Sequence, residues 1–126
     1  MAVPKDRRYS KEHEWAIDEG DGTIRIGITE FAEHELGDVI YVELPKVGTA
    51  VKQNAQMGEI ESVKAVSDLF SPVTGEIVEI NSAVKDKPEL VNEAPYEAGW
   101  LVKVKATDTG ELAGLLDSAQ YEELTS

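Results

Sequence analysis

The chain has 126 residues with 12 Lys and Arg against 25 Asp and Glu, a net charge of −13, and so acidic a surface repels a phosphate backbone and sets nucleic acid aside as a partner. Hydrophobic residues make up 41% and charged residues 29%, the balance of a folded globular chain long enough for one domain and too short for two ordinary ones. The chain contains no cysteine, which removes disulfides, thiolate metal sites and cysteine nucleophiles, and no run of eighteen apolar residues offers a membrane span. The segment from Met1 to Arg8 is mildly basic but is not followed by the apolar run of a secretory signal. A protein made and kept in a bacterial-type cytoplasm is expected, and a mature mitochondrial form would carry the same character. Thr23 to Ile28 alternates apolar and polar residues, the pattern of a half-buried strand. Asp18-Glu19-Gly20-Asp21-Gly22 leads into it, with glycines to supply the positive φ of a tight connection. Those acids lack the ligand spacing of a calcium loop. Thr29 is placed to cap a short helix from Glu30 to Leu36, with Ala32 and Leu36 on one face and Gly37 just past its end. Asp38 to Leu44 is dense in β-branched and aromatic residues and stops at Pro45, so it reads as a strand.

Gly48 to Asn54 and Gly75 to Asp86 form a loose internal repeat: each has a glycine, strand residues, then a Val-Lys-polar turn. Between them lies Glu59 to Asp68, expected as a central hairpin with Lys64 near its tip. Glu76 to Ile80 alternates in part, and Trp100 to Lys105 does so fully, which places Trp100, Val102 and Val104 on one face. Gly110 to Leu116 is expected as a short helix. Asp117 and Gln120 then make a capping box, and Leu116 and Tyr121 have the spacing of a hydrophobic staple ahead of an acidic terminal helix. The expected organisation is one domain over 1–126, with an all-strand core over about 13–106 and short helices over about 110–125.

The familiar catalytic constellations are missing. His13 and His34 are the only histidines, and there is no nucleophile elbow, zinc-binding helix, phosphate loop or dinucleotide fingerprint. Neither an enzyme in its own right nor a metal site is expected. Lys64 stands out by its setting, between Val63 and Ala65 in a strand-turn-strand segment, with Glu61 before it and Gly75 beyond. On the residues alone, two readings stay open. It is either a solvated surface cation or an amine that a modifying enzyme can reach, where acylation would remove the charge and install a long arm.

The segment from Gly58 to Ile77, with Glu61-Ser62-Val63-Lys64-Ala65 at its centre and Ser71-Pro72-Val73-Thr74-Gly75 after it, resembles the lipoyl-attachment region of the glycine cleavage system H proteins. The resemblance covers nearly the whole chain: His13-Glu14-Trp15, Gly27-Ile28-Thr29, Asp38 to Pro45, and Pro88 to Leu101. That last stretch, with Pro95-Tyr96 and Gly99-Trp100, separates it from the lipoyl domains of 2-oxo acid dehydrogenases. Biotin carriers place Met on both sides of their lysine, where this chain has Val63 and Ala65. The resemblance implies a mainly β fold, a barrel-sandwich hybrid like that of lipoyl domains, with short peripheral helices and a C-terminal helix. It implies a non-catalytic shuttle: lipoic acid joined as an amide to Lys64 carries the aminomethyl group of glycine from a pyridoxal-phosphate glycine decarboxylase to a tetrahydrofolate-dependent aminomethyltransferase. A dihydrolipoyl dehydrogenase then reoxidises the arm.

By the same resemblance, Glu61 and Gly75 serve recognition by the lipoylating enzyme. The loaded arm is expected to dock between His13-Glu14-Trp15 and Ser67-Asp68, with Glu14 or Asp68 holding its ammonium and Trp15 forming an apolar wall. Glu12 stands where a small hydroxyl residue is expected. The carrier is expected to be a monomer. A small acidic interaction domain with unmodified Lys64, and a relay that supplies lipoate to other proteins, are the alternative readings.

Overall fold

The computed structural model describes residues 1–126. Nine strands make two sheets. The larger contains β1 (Arg8–Tyr9), β2 (Glu14–Asp18), β3 (Thr23–Ile28), β5 (Ala50–Val51), β8 (Gly75–Ile80) and β9 (Val102–Ala106), in the spatial order β1-β2-β3-β9-β8-β5. The smaller is β4 (Val39–Glu43), β6 (Gln56–Ser62) and β7 (Val66–Phe70), with β6 in the middle. All strand pairs are antiparallel. The inward residues of both sheets meet in one apolar core: Ile24, Ile26, Ile77 and Val104 come from the larger sheet, Val42, Ile60 and Leu69 from the smaller. Each of these is almost wholly removed from water, which is what holds two small sheets together.

The capping signals in the sequence are all used. Thr29 caps α1 (Glu30–Leu36), its hydroxyl accepting the Ala32 N–H at 3.1 Å, and Gly37 ends the helix at φ 79°. Asp117 and Gln120 close the capping box of α4 (Ser118–Thr125). Leu116 and Tyr121 join a second, aromatic cluster with Tyr9, Trp15 and Tyr96, which seats the terminal helix against β1.

Three expectations are corrected. The stretch between β8 and β9 holds two short helices, α2 (Ser82–Asp86) and α3 (Leu90–Glu93), so the middle of the chain is not all strand. The second half of the internal repeat fails there for a local reason. The Asn81 side chain accepts the Ala83 N–H at 3.2 Å and caps α2, so Val84 and Lys85 lie in a helix and not in a turn. Trp100 does not share a face with Val102 and Val104. The Leu101 N–H donates to the Ile26 carbonyl at 2.8 Å and Leu101 is buried, which breaks the alternation and leaves Trp100 half-exposed beneath the Lys103 ammonium. The short helix expected over Gly110 to Leu116 is present as a 3-10 helix, Thr109–Gly114, and beyond it Leu116 bridges to Tyr9.

Candidate functional site

The β6-β7 hairpin presents Lys64. Its last strand pair is Glu61 opposite Val66, so Ser62 to Ala65 form the tip. The Ser62 N–H donates to the Ala65 carbonyl at 2.8 Å, and the Ser62 hydroxyl accepts the Lys64 and Ala65 N–H groups at 3.3 and 3.1 Å. A serine side chain that satisfies two tip donors rigidifies the turn without help from solvent. The Val63 N–H reaches the Asp38 carbonyl at 3.0 Å, tying the tip to the chain ahead of β4. Asn92 on α3 locks that chain from the other side: its amide donates to the Gly37 carbonyl at 2.9 Å and its carbonyl oxygen accepts the Val39 N–H at 2.9 Å.

On this frame Lys64 is exposed, and its Nζ has neither a hydrogen bond nor an ion pair. Its stem lies over Gly37, where an added Cβ would stand 3.5 Å from the lysine Cε. A primary amine with no competing partner, held on a rigid tip, fits an amide-linked group.

Beside the hairpin runs a groove of about 320 Å³. Ile28, Leu36, Ile60 and Leu69 line it with apolar surface, His13 and Phe31 stack at 4.7 Å between ring centroids along it, and Glu12, Glu14, Glu35 and Asp68 add carboxylates. Ser67 and Asp68 lie on β7, about 10 Å along the strand from Lys64. The expected docking residues are therefore partly assembled. Glu14 and Asp68 border one groove. Trp15 does not: it follows Glu14 on a strand, points to the opposite face and is fully buried. There its indole N–H donates to the Pro95 carbonyl at 2.9 Å under the Arg7 guanidinium, so its place is in the core and it forms no wall of the groove.

Glu14 is an unusual carboxylate. It is buried, its Oε1 accepts the Ser10 hydroxyl at 2.5 Å, and its Oε2 accepts the Phe70 N–H at 3.2 Å across the gap between the two sheets. Burial outweighs both hydrogen bonds and pushes its pKa up to about 7. Asp68 is exposed and accepts the Gln56 amide at 3.0 Å. His13 adopts φ 71°, and its Nδ1 lies 2.8 Å from the Tyr121 hydroxyl, which in turn lies 2.7 Å from the Thr29 hydroxyl. Burial pushes the His13 pKa down, against the opposing pull of Glu12 and Glu35.

Glu61 is half-buried on the outer face of the smaller sheet and makes no ion pair within the chain. Gly75 lies in the other sheet and is buried. A Cβ there would stand 2.1 Å from the Lys105 carbonyl oxygen, so its bare backbone is required by the β8-β9 approach. No group of three or more His, Asp or Glu is placed to hold a metal ion. Ser10, Ser62, Asn92, Thr29 and Tyr121 support the site without having been singled out for it in the sequence. Ser10 and Ser62 act within four residues of chain, whereas Asn92 and the Thr29–Tyr121 pair act through contacts between residues distant in the chain.

Two packed antiparallel sheets with an exposed lysine on a braced hairpin tip define a two-sheet β domain of the hairpin-lysine type. The family model described as glycine cleavage H-protein matches residues 7–126. The glycine cleavage system H proteins of Bacillus licheniformis and Staphylococcus carnosus are 49% and 52% identical to the chain over 124 residues, 98% of it and 97% and 98% of theirs. A crystal structure of a glycine cleavage system H protein from Mycobacterium marinum matches with a TM-score of 0.90 at 44% identity, covering 98% of both chains. The chain belongs to the glycine cleavage H-protein family.

Proposed function

We propose that this chain is the lipoyl carrier of a glycine cleavage system, with lipoic acid in amide linkage to Lys64, and that it performs no catalysis of its own. The observation that carries the reading is the unpaired, exposed Lys64 on a hairpin tip whose backbone donors are all internally satisfied. Family membership supplies the context. When bound, lipoate supplies a disulfide-dithiol pair on a long flexible arm. The partners are a glycine decarboxylase, an aminomethyltransferase, a dihydrolipoyl dehydrogenase and a lipoylating enzyme, and the working form is a monomeric single domain in a bacterial-type cytoplasm. Tethering one group for several active sites raises its effective concentration at each, and the net charge of −13 favours encounter with basic partner surfaces.

The protein's own residues act on what the arm brings back. The apolar floor of the groove excludes water, and Glu14 and Asp68 border it with carboxylates beside which a docked amine comes to lie. At ~4 Å and an effective dielectric of about 20, one carboxylate attracts an ammonium by roughly 4 kcal/mol before desolvation. Even a third of that keeps the nitrogen protonated about one pH unit further. A protonated nitrogen has no lone pair with which to break a neighbouring carbon–sulfur bond. A cation beside Glu14 offsets the burial that raises its pKa and so favours the ionised carboxylate.

Recognition by the lipoylating enzyme is assigned to Glu61. Gly75 contributes only through the fold, because it is buried. Peptide mapping of protein made in a lipoate-competent host tests the proposal. Label on Lys64 alone is the expected result, and an unmodified Lys64 or label on another lysine overturns it.

A further inference from the structure

Eight large hydrophobic side chains stand exposed on this protein, and four of them crowd around one hairpin tip: Ile40, Tyr41, Val63 and Val66, each 51–65% exposed. Single exposed hydrophobics need no explanation, whereas a cluster beside a modification site does. The cluster has a structural cause. Val39 pairs with Ser62 and Tyr41 with Glu61, so β4 carries one extra residue and is bulged at Ile40. The bulge turns Ile40 and Tyr41 outward together, between the buried Val39 and Val42. Across the sheet Tyr41 stands opposite Glu61, and Glu61 opposite Val66. The next row along is Glu43, Glu59 and Asp68. Strand alternation puts both rows on the face away from the core, with Val42, Ile60 and Leu69 on the inner side, and Asp68, on the edge strand β7, also borders the groove. None of these six outer positions is basic, and none of the four acids is paired.

We infer that the outer face of the β4-β6-β7 sheet, centred on the row Tyr41, Glu61 and Val66, is the seat of the lipoylating enzyme, whose active-site mouth offers apolar surface to Tyr41 and Val66 and basic groups to Glu61 and the acids of the next row. This rests on the reading of Lys64 as the lipoylated residue. The choice of occupant follows from reach. Enzymes that use the finished arm meet a reactive end carried far from the hairpin, so they need not cover the tip. The enzyme that builds the amide must bring its donor to Nζ itself. There the neutral amine attacks the carbonyl carbon of an activated lipoic acid, an acyl adenylate or thioester. A carbon–nitrogen bond forms, the carbon–oxygen or carbon–sulfur bond breaks with its electron pair leaving on the departing group, and Nζ releases a proton to solvent. No redox change is involved. An enzyme body within bonding distance of Nζ covers the residues flanking the tip, and those are the exposed Tyr41, Val63 and Val66 with Glu61 among them. Aromatic anchors carry most of the energy of such an interface, while charge pairs set orientation and encounter rate.

The test is a steady-state assay with purified lipoylating enzyme, activated donor and the full-length carrier as the varied substrate. Tyr41→Ser and Val66→Ser are expected to raise KM about tenfold with kcat little changed, as for loss of an interface anchor. Tyr41→Phe, which keeps the ring, is expected to restore most of it. Because both side chains are more than half exposed, unchanged thermal melting of the variants is expected. Carriers driven to full lipoylation are then assayed with dihydrolipoyl dehydrogenase and aminomethyltransferase, where the variants are expected to match wild type. Wild-type KM in the Ser variants overturns the inference, and so does a defect confined to the enzymes that use the arm, since the face would then belong to them. Wild-type carrier that takes no label on Lys64 instead overturns the carrier reading itself and the inference with it.

Discussion

Replacing Glu14 with Gln tests the electrostatics of the groove directly. The carboxyl is buried between the sheets, and its pKa of about 7 exceeds the ordinary value of 4.5 because burial outweighs the hydrogen bonds from Ser10 and Phe70. In the unfolded chain the group titrates near 4.5, so between pH 4.5 and 7 the folded state binds the extra proton. Stability contributed by the protonated group is fully present below 4.5 and is lost as pH rises to about 7. At about 1.36 kcal/mol per pH unit, that gap amounts to roughly 3 kcal/mol. Gln keeps the shape and can still accept from Phe70 while donating to the Ser10 oxygen, but it does not titrate. Urea unfolding of both proteins at half-unit steps from pH 4 to 8.5 isolates the group, because all other ionisable residues are shared. The difference, wild type minus variant, is expected to fall by about 3 kcal/mol across the window and then level off. Parallel curves, or a difference that grows with pH, would refute the account of Glu14 as a carboxylate held neutral by burial. The same slope is expected to weaken when a cation occupies the groove, since the cation favours the ionised form.

Gly75→Ala forces a Cβ against the Lys105 carbonyl and is expected to destabilise the fold by about 1–3 kcal/mol. Any loss of lipoylation should follow the unfolded fraction and recover on cooling, which separates packing from recognition. Asn92→Ala removes both bonds to the chain between α1 and β4 and is expected to cost about 1–3 kcal/mol, with faster amide exchange at Val39 and Val63. Glu61→Gln is expected to slow lipoylation without unfolding, by the ~1 kcal/mol of an exposed charge contact, and equal rates remove Glu61 from the recognition site. Loaded carrier is expected to release formaldehyde faster in folded Glu14→Ala or Asp68→Ala than in wild type, and wild-type rates in both would end the carboxylate account of protection.

The terminal signals of α1 and α4 were legible because capping is local: Thr29 and Ala32, or Asp117 and Gln120, find each other within one turn of chain. The Lys64 hairpin was legible for the same reason, since its register and its Ser62 brace span a few residues. The order of strands was not, because β5 pairs with β8 and β3 with β9 across long intervening segments whose closure depends on a shared core. Nor was the division of labour between Glu14 and Trp15. Neighbours on a strand point to opposite faces, but which face becomes a groove and which the core is decided only when α1 and the β6-β7 hairpin arrive. The chain by itself therefore determined the amine, its presentation and its acidic setting. Only the packing of the two sheets could bury one carboxylate to a pKa of about 7, seal an indole away from the groove, and turn a bulged strand's apolar residues out beside the lysine. Burial and facing are properties of segments brought together through space, and no short stretch of sequence encodes them alone.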